Sequence, residues 1–286
     1  MTKTIGVVLR PGASEALEDV QRIQQLLPDA TLLVERDGHH AVRDIPARVT
    51  PVTPEQFEER CDMMVVLGGD GTLIHAASLL RNKVVPILGV NLGHIGFLTD
   101  VTREELNDVL NSALEGKLPY SDRMRLDVEL WQDGEITMRE RILNDAVLGP
   151  QALARIATYE LRLNGELITS VRGDGMIVST PTGSTAYAMA AGGSILSPDL
   201  EAVLIVPICP HQLTQRPLVL VPTGELELRL QSDSVVHATC DGRAGMEFRH
   251  GDQMIIRRAP VPARILTVPW RDYFRTLRTK LGWGNS

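Results

Sequence analysis

The chain has 286 residues, 43% of them hydrophobic and 23% charged. That length suits about two domains of roughly 150 residues, each with its own core, and the ordinary charge content excludes a globally disordered chain. Lys and Arg number 29 against 36 Asp and Glu, and the net charge of −7 gives no bulk attraction to nucleic acid or an anionic membrane.

Three scattered cysteines (Cys61, Cys209 and Cys240) are too few for a disulfide framework or a four-ligand zinc site. The apolar run Ile5 to Leu9 is too short for a secretory signal, and no stretch approaches the ~20 apolar residues of a membrane span. A soluble protein of the cytoplasm is expected.

In chain order, Thr4 to Leu9 reads as a buried strand. Ser14 stands where a helix with Leu17, Val20, Ile23 and Leu27 on one face would be capped. Met63 to Leu67 is a second strand, and the residues after it set Leu73, Ala76, Ala77 and Leu80 at helical spacing. Val84 to Val90 is a third apolar run. Thr102 and Glu105 form a capping box ahead of Leu106, Val109, Leu110 and Ala113. Alternating apolar strands and helices over residues 1–122 predict an α/β domain with a parallel sheet.

After Asp122 the period becomes two, with Leu126, Val128 and Leu130, and later Leu226, Leu228 and Leu230, alternating with charged residues. Asn164-Gly165 is a hairpin signal, and Asp133-Gly134, Asp241-Gly242 and Gly251-Asp252 are further turns. Residues 123–266 therefore read as a β-rich, sandwich-like domain. In 267–286, Trp270, Phe274, Leu277 and Leu281 form a helical stripe expected to dock on the first domain or on a partner subunit.

Two segments carry chemistry. Gly68-Gly69-Asp70-Gly71-Thr72 joins the second strand to a helix. Glycines there permit positive φ and let a phosphate approach the backbone, and the helix N-terminus favours anions. Asp70 would repel phosphate unless it accepts a hydroxyl proton or holds a metal. The plainer reading is a tight turn with Asp or Thr capping the helix. No GK[ST] follows, so this is not a Walker A loop.

The run Asp174 to Gly193 breaks from a strand into Ser179-Thr180-Pro181-Thr182-Gly183-Ser184-Thr185, five hydroxyls in seven residues. Ala186, Tyr187, Ala188, Met189, Ala190 and Ala191 then offer a small-residue surface on which a flat ring could lie, with Tyr187 able to stack. This reads as a ligand-binding loop. The alternative is a surface loop before a tightly packed helix.

GGDGT at 68–72, NLGHIGFLT at 91–99, Asn144-Asp145, RGDGMIVSTPTGSTAYAMAAGGSI at 172–195, PICPHQLTQRP at 207–217 and RTLRTKLGWG at 275–284 together resemble the bacterial NAD kinase family. GGDGT alone also occurs in diacylglycerol and sphingosine kinases. The TPTGSTAY block is far more specific.

The resemblance implies transfer of the γ-phosphoryl of ATP to the 2′-hydroxyl of the adenosine ribose of NAD, giving NADP. It makes Asp70 the proton acceptor and Gly71 part of a phosphate cradle, at an active site between the domains. It implies that Asn144 and Asp145 hydrogen-bond the dinucleotide, although the family usually has Asn-Glu and this chain has the shorter Asp. Arg172 and Asp174 flank the far end of the pocket, and Thr185, Ala186, Tyr187, Ala188, Met189 and Ala190 line base and ribose. His75 and Arg155 are candidates for phosphate or edge contacts, with an exposed helix face as the alternative for His75. Asp241-Gly242 is followed by Arg243 where the family often has Gln, so no glutamine contact carries over.

The cofactor implied is Mg²⁺ arriving with ATP, with no protein metal site, since HExxH and CxxC are absent. The partners implied are NAD, ATP and further copies of the chain in a homo-oligomer, with no nucleic acid and no membrane. A lipid kinase sharing the glycine turn and a non-catalytic NAD(P) sensor are the competing readings.

Overall fold

Apolar runs flanked by helical patterns fold as parallel strands buried on both faces. The structure is a computed structural model. It describes all residues except 1–2, 13–14, 38–39, 43–44, 46–47, 94–95, 151–155, 244 and 284–286, and omits the side chains of 15–17. The expected cap Ser14 and the Leu17 side chain thus lie outside the described residues. Two compact units are present, one of residues 1–122 with 263–286 and one of residues 123–262.

The first unit begins with β1 (Thr4–Leu9), α1 (Glu15–Leu26), β2 (Thr31–Glu35), β3 (Val49–Val52), α2 (Pro54–Arg60) and β4 (Met63–Gly68). It continues with α3 (Asp70–Ser78), β5 (Ile87–Asn91), β6 (Val101–Thr102), α4 (Leu106–Leu114) and β7 (Tyr120–Arg123). Strands run β3-β2-β1-β4-β5 across the sheet, all parallel. The chain leaves β1 on one side and returns on the other. Such a reversal opens a crevice at the carboxyl ends of the strands that flank it, the usual ligand position in an open α/β sheet. Gly68 ends β4, which puts the glycine turn there.

The second unit comprises β8 (Leu126–Gln132), β9 (Glu135–Ile142), β10 (Asp145–Gly149), β11 (Ala157–Leu163), β12 (Glu166–Gly173) and β13 (Gly175–Ser179). A 3-10 turn (Thr182–Thr185) and α5 (Tyr187–Ala190) follow. Then come β14 (Val203–Ile208), β15 (Leu218–Leu220), β16 (Glu225–Leu230), β17 (Val236–Cys240), β18 (Met246–Phe248) and β19 (Gln253–Arg258). They form two six-stranded sheets, β15-β14-β13-β10-β17-β18 and β12-β11-β16-β19-β8-β9. One core joins Leu148, Val178 and Ile205 of the first sheet to Leu126, Leu228 and Ile256 of the second, so the unit is a sandwich. Asn164 and Gly165 both take positive φ (51° and 82°), the geometry of a two-residue hairpin.

The chain then returns to the first unit as β20 (Ala263–Leu266) and α6 (Tyr273–Leu281). β20 pairs in parallel with β5, so these four residues belong to the α/β sheet and not to the β-rich segment expected to run to 266. The terminal helix is also shorter than its sequence stripe. Asp272 caps it, accepting the amides of Phe274 and Arg275, which leaves Trp270 before the first turn. Leu277 is buried while Trp270 and Phe274 are exposed.

Candidate active site

Asp70 is the first residue of α3, immediately after β4, and its carboxylate turns toward the loop that leaves β5. Phe97 N donates to Oδ2 at 2.8 Å and Leu98 N to Oδ1 at 3.0 Å. Thr99 Oγ1 donates to Oδ1 at 3.3 Å while accepting Asn91 Nδ2 at 2.7 Å, and Asn91 Oδ1 takes the amide of Gly93 at 2.7 Å. With Asn91 and Thr99 both buried, this relay fixes the carboxylate's orientation. Each carboxylate oxygen has two acceptor positions, so the clamp leaves acceptor capacity for a substrate hydroxyl. Within the NLGHIGFLT block, Asn91, Phe97, Leu98 and Thr99 form this clamp, a role not legible in their sequence. Its signal was Gly96, where a Cβ would overlap the Asp70 carboxylate.

The glycines serve close approach and not positive φ. None of Gly68, Gly69 and Gly71 has positive φ, and Gly69 caps α3 at φ −119°. Gly68 is required by the Thr72 side chain, on which a Cβ would intrude. Around Gly69 and Gly71 a Cβ would meet nothing within 4 Å, so the protein's own packing does not demand glycine there. The space is open for a ligand to reach the backbone amides.

His75 lies one helical turn beyond Gly71 and is not an open-face histidine. Its Nε2 meets Glu35 Oε2 at 2.7 Å, and its ring stacks on His40 with centroids 3.9 Å apart. Glu35 ends β2 and is buried. His40 Nδ1 bonds the Leu9 carbonyl at the end of β1. One ring nitrogen of His75 is therefore committed to the protein, and Nδ1 alone remains for an edge contact. Among the described residues, no three His, Cys, Asp or Glu side chains form a metal-binding group.

In the second unit, Asn144 precedes β10, and Asp145 opens that strand opposite Ser179 of β13. Asp241 holds this entry, accepting the amides of Leu143 (2.9 Å), Asn144 (2.7 Å) and Asp145 (3.2 Å). Asp145 is 5% exposed, and burial, aided by the charge of Asp241, pushes its carboxyl up to about 7. Burial also raises Asp241, but the amides of Leu143 and Asn144 act against that. The amide bonds favour the charged form of Asp241, while both causes acting on Asp145 favour its protonated form.

Most hydroxyls of the 179–185 segment turn inward and bond their own chain. Thr180 Oγ1 donates to Leu143 O at 2.6 Å, Ser184 Oγ donates to Pro181 O at 2.6 Å and accepts Leu196 N, and Ser179 Oγ donates to Thr180 O. They lock the loop onto Asn144, where a Cβ at Gly183 would overlap the backbone carbonyl. Here two buried polar atoms, Asn144 Oδ1 and Thr182 Oγ1, have no hydrogen-bond partner among the described residues. Unpaired polar atoms are costly when buried, and these two retain hydrogen-bonding capacity beside the entry to β10.

Beyond them, Thr185, Ala186 and Met189 are half-buried, and Tyr187 and Ala190 are exposed. Ala188 is the correction: its methyl is buried among Val147, Ile177, Leu204 and Val206, leaving only its backbone for a ligand. Arg172 is exposed on β12. Asp174 uses its backbone on Ile208 and Tyr159, and among the described residues its carboxylate makes no hydrogen bond. Arg155 lies outside the described residues.

Solved structures with this fold include yeast NADH kinase complexed with NADH (TM-score 0.88, 27% identity, covering 100% of this chain and 89% of that one). The NAD kinase from Archaeoglobus fulgidus in complex with ATP also matches (TM-score 0.73, 26% identity, 98% of each chain). A parallel-sheet unit with a clamped carboxylate at an open glycine turn, in a chain with these structural relatives, defines a kinase.

The models for the ATP-NAD kinase N-terminal and C-terminal domains match residues 5–118 and 143–268. NAD kinases of Geobacter metallireducens and Geobacter sulfurreducens are 49% identical over 234 residues and 46% identical over 246, covering 82% and 86% of this chain and 83% and 86% of theirs. The NAD kinase of Pseudomonas putida is 35% identical over 291 residues, covering 99% of this chain and 96% of its own. The chain belongs to the NAD kinase family.

Proposed function

We propose that the chain transfers the γ-phosphoryl group of MgATP to the 2′-hydroxyl of the adenosine ribose of NAD. A bond forms between O2′ and Pγ as the bond from Pγ to the β,γ-bridging oxygen breaks, releasing ADP and NADP. Asp70 accepts the hydroxyl hydrogen, and its fixed orientation supplies the in-line aim that a loose phosphoryl-transfer transition state requires. The open turn at Gly69 and Gly71 offers amides to phosphate oxygens. Mg²⁺ belongs to the substrate, held by phosphate oxygens and water.

On the acceptor side, Asn144 Oδ1 and Thr182 Oγ1 bond the dinucleotide, and Tyr187 offers a ring face. The single observation that carries this reading is the Asp70 carboxylate, held by three donors between two glycines, Gly69 and Gly71, that the protein's own packing does not demand. Neither the lipid-kinase nor the sensor reading gains support from the relatives. Localisation in the cytoplasm and self-association belong to the same reading. No described helix is long and apolar enough to cross a membrane, and Leu213 and Val221, exposed near the edge strand β15, are compatible with an oligomer contact.

The test is NADP formation from MgATP and NAD, run beside NADH, polyphosphate and diacylglycerol arms. NAD-dependent turnover is expected. Label transfer to diacylglycerol alone, or no turnover with tight NAD binding, would replace this reading.

A further inference from the structure

We infer that Arg271 is a positioning residue for Asp70, acting through the backbone of residues 97–100. Among the described residues no cation pairs with the carboxylate of Asp70, whose geometry depends on the amides of Phe97 and Leu98 and the hydroxyl of Thr99. A clamp made of loop backbone is only as rigid as the anchors of that loop. Two residues beyond Leu98, the carbonyl of Asp100 accepts Arg271 Nε at 3.2 Å. The same guanidinium reaches Glu105 Oε2 through Nη2 at 3.4 Å. Glu105 in turn accepts the Thr102 amide at 2.8 Å and the Trp270 indole at 3.0 Å.

The segment from 97 to 102 is thereby tied at one end to Asp70 and at the other to the residues just before α6. A third tie joins the two ends, because the ring of Phe97 lies 6.5 Å from that of Tyr273, the first residue of α6. Arg271 is suited to this position because its planar fork serves a carbonyl and a carboxylate at once, which a lysine ammonium on a flexible stem does not hold in one geometry. Its side chain is about three-quarters shielded from solvent, so the contacts are not those of a freely hydrated surface pair. The stretch before the terminal helix thus acts at a distance on the reacting carboxylate, without itself touching a substrate.

The inference rests on Asp70 acting on the acceptor hydroxyl, and a double-mutant cycle separates the two ideas. Turnover and KM for NAD and ATP are measured for the parent, Asp70→Asn, Arg271→Ala, Arg271→Lys and the Asp70→Asn/Arg271→Ala double variant. Arg271→Ala is expected to lower kcat by about tenfold or more with both KM values within about twofold, and Arg271→Lys to recover part of the loss. In the Asp70→Asn background the Arg271 change should cost less than about twofold, since the carboxylate it positions is gone.

Parental kcat in Arg271→Ala, or the same loss in both backgrounds, would overturn the inference while leaving Asp70 in place. Full turnover by Asp70→Asn would remove the Asp70 reading and the inference with it. Should Arg271→Ala not fold, Trp270→Phe deletes only the indole donor to Glu105. A smaller loss in kcat alone is expected there, and unchanged kcat would contradict the inference.

Discussion

Phe97 donates its backbone amide to Oδ2 of Asp70 at 2.8 Å across 27 positions of sequence, and the residue before it, Gly96, has no room for a side chain. A methyl at 96 must displace either the carboxylate or the loop. Gly96→Ala is expected to reduce kcat on the order of a hundredfold, since small misplacements of reacting groups carry losses of that size. The loss should come with NAD affinity near the parental value, checked by steady-state kinetics beside a binding titration.

Gly71 makes the opposite case. It sits inside α3 without positive φ and faces open space, so Ala there removes only unfolded-state entropy and should leave thermal stability unchanged or slightly higher, by up to about 1 kcal/mol. Activity should fall all the same, with a raised KM for ATP. A substitution that stabilises the fold while impairing the enzyme identifies a glycine kept for its ligand.

Asp145 gives a pH signature. Its folded carboxyl titrates near 7 against a usual value of 3.8, so between those values the native state holds a proton that the unfolded chain has lost. Stability therefore declines as pH rises from about 4 to about 7, by at most about 4 kcal/mol, and the cost is fully present above that window. Asp145→Asn removes this titration. Urea unfolding should show the variant gaining on the parent between pH 5 and pH 8, and parallel pH profiles would contradict the assignment.

Asn144→Ala should weaken NAD binding at little cost in stability. Its Oδ1 has no partner in the protein, so truncation leaves no donor newly unpaired. Calorimetric titration with NAD and a thermal melt read the two effects separately.

Strands β1, β4 and β5 and helices α3 and α4 are visible in the sequence because their apolar residues follow a burial pattern over enough positions. β2 and β3 are not, since five and four residues carry little periodicity and Pro51 argues against a strand except at the sheet edge, where β3 lies. β20 is invisible for another reason: its partner β5 is remote in sequence, and only tertiary pairing assigns it.

At the site, Asp70 is legible because a lone carboxylate among glycines is chemically odd. The clamp from Phe97, Leu98 and Thr99 is not, because backbone amides have no residue signature. The directions of the 179–185 hydroxyls are not legible either, because composition does not tell which way a hydroxyl points. Thr180 and Ser184 face their own chain, and only Thr182 is left over.

Phosphoryl transfer here turns on what Asp70 does. Replacing it with Asn keeps an acceptor oxygen on the side chain but removes the proton acceptor, so the most direct measurement is NADP formation by Asp70→Asn alongside its dissociation constant for NAD. Turnover lowered by several orders of magnitude with unchanged NAD affinity is the predicted result. Equal losses in turnover and affinity in a folded variant would make Asp70 a binding residue, and undiminished turnover would contradict the account outright.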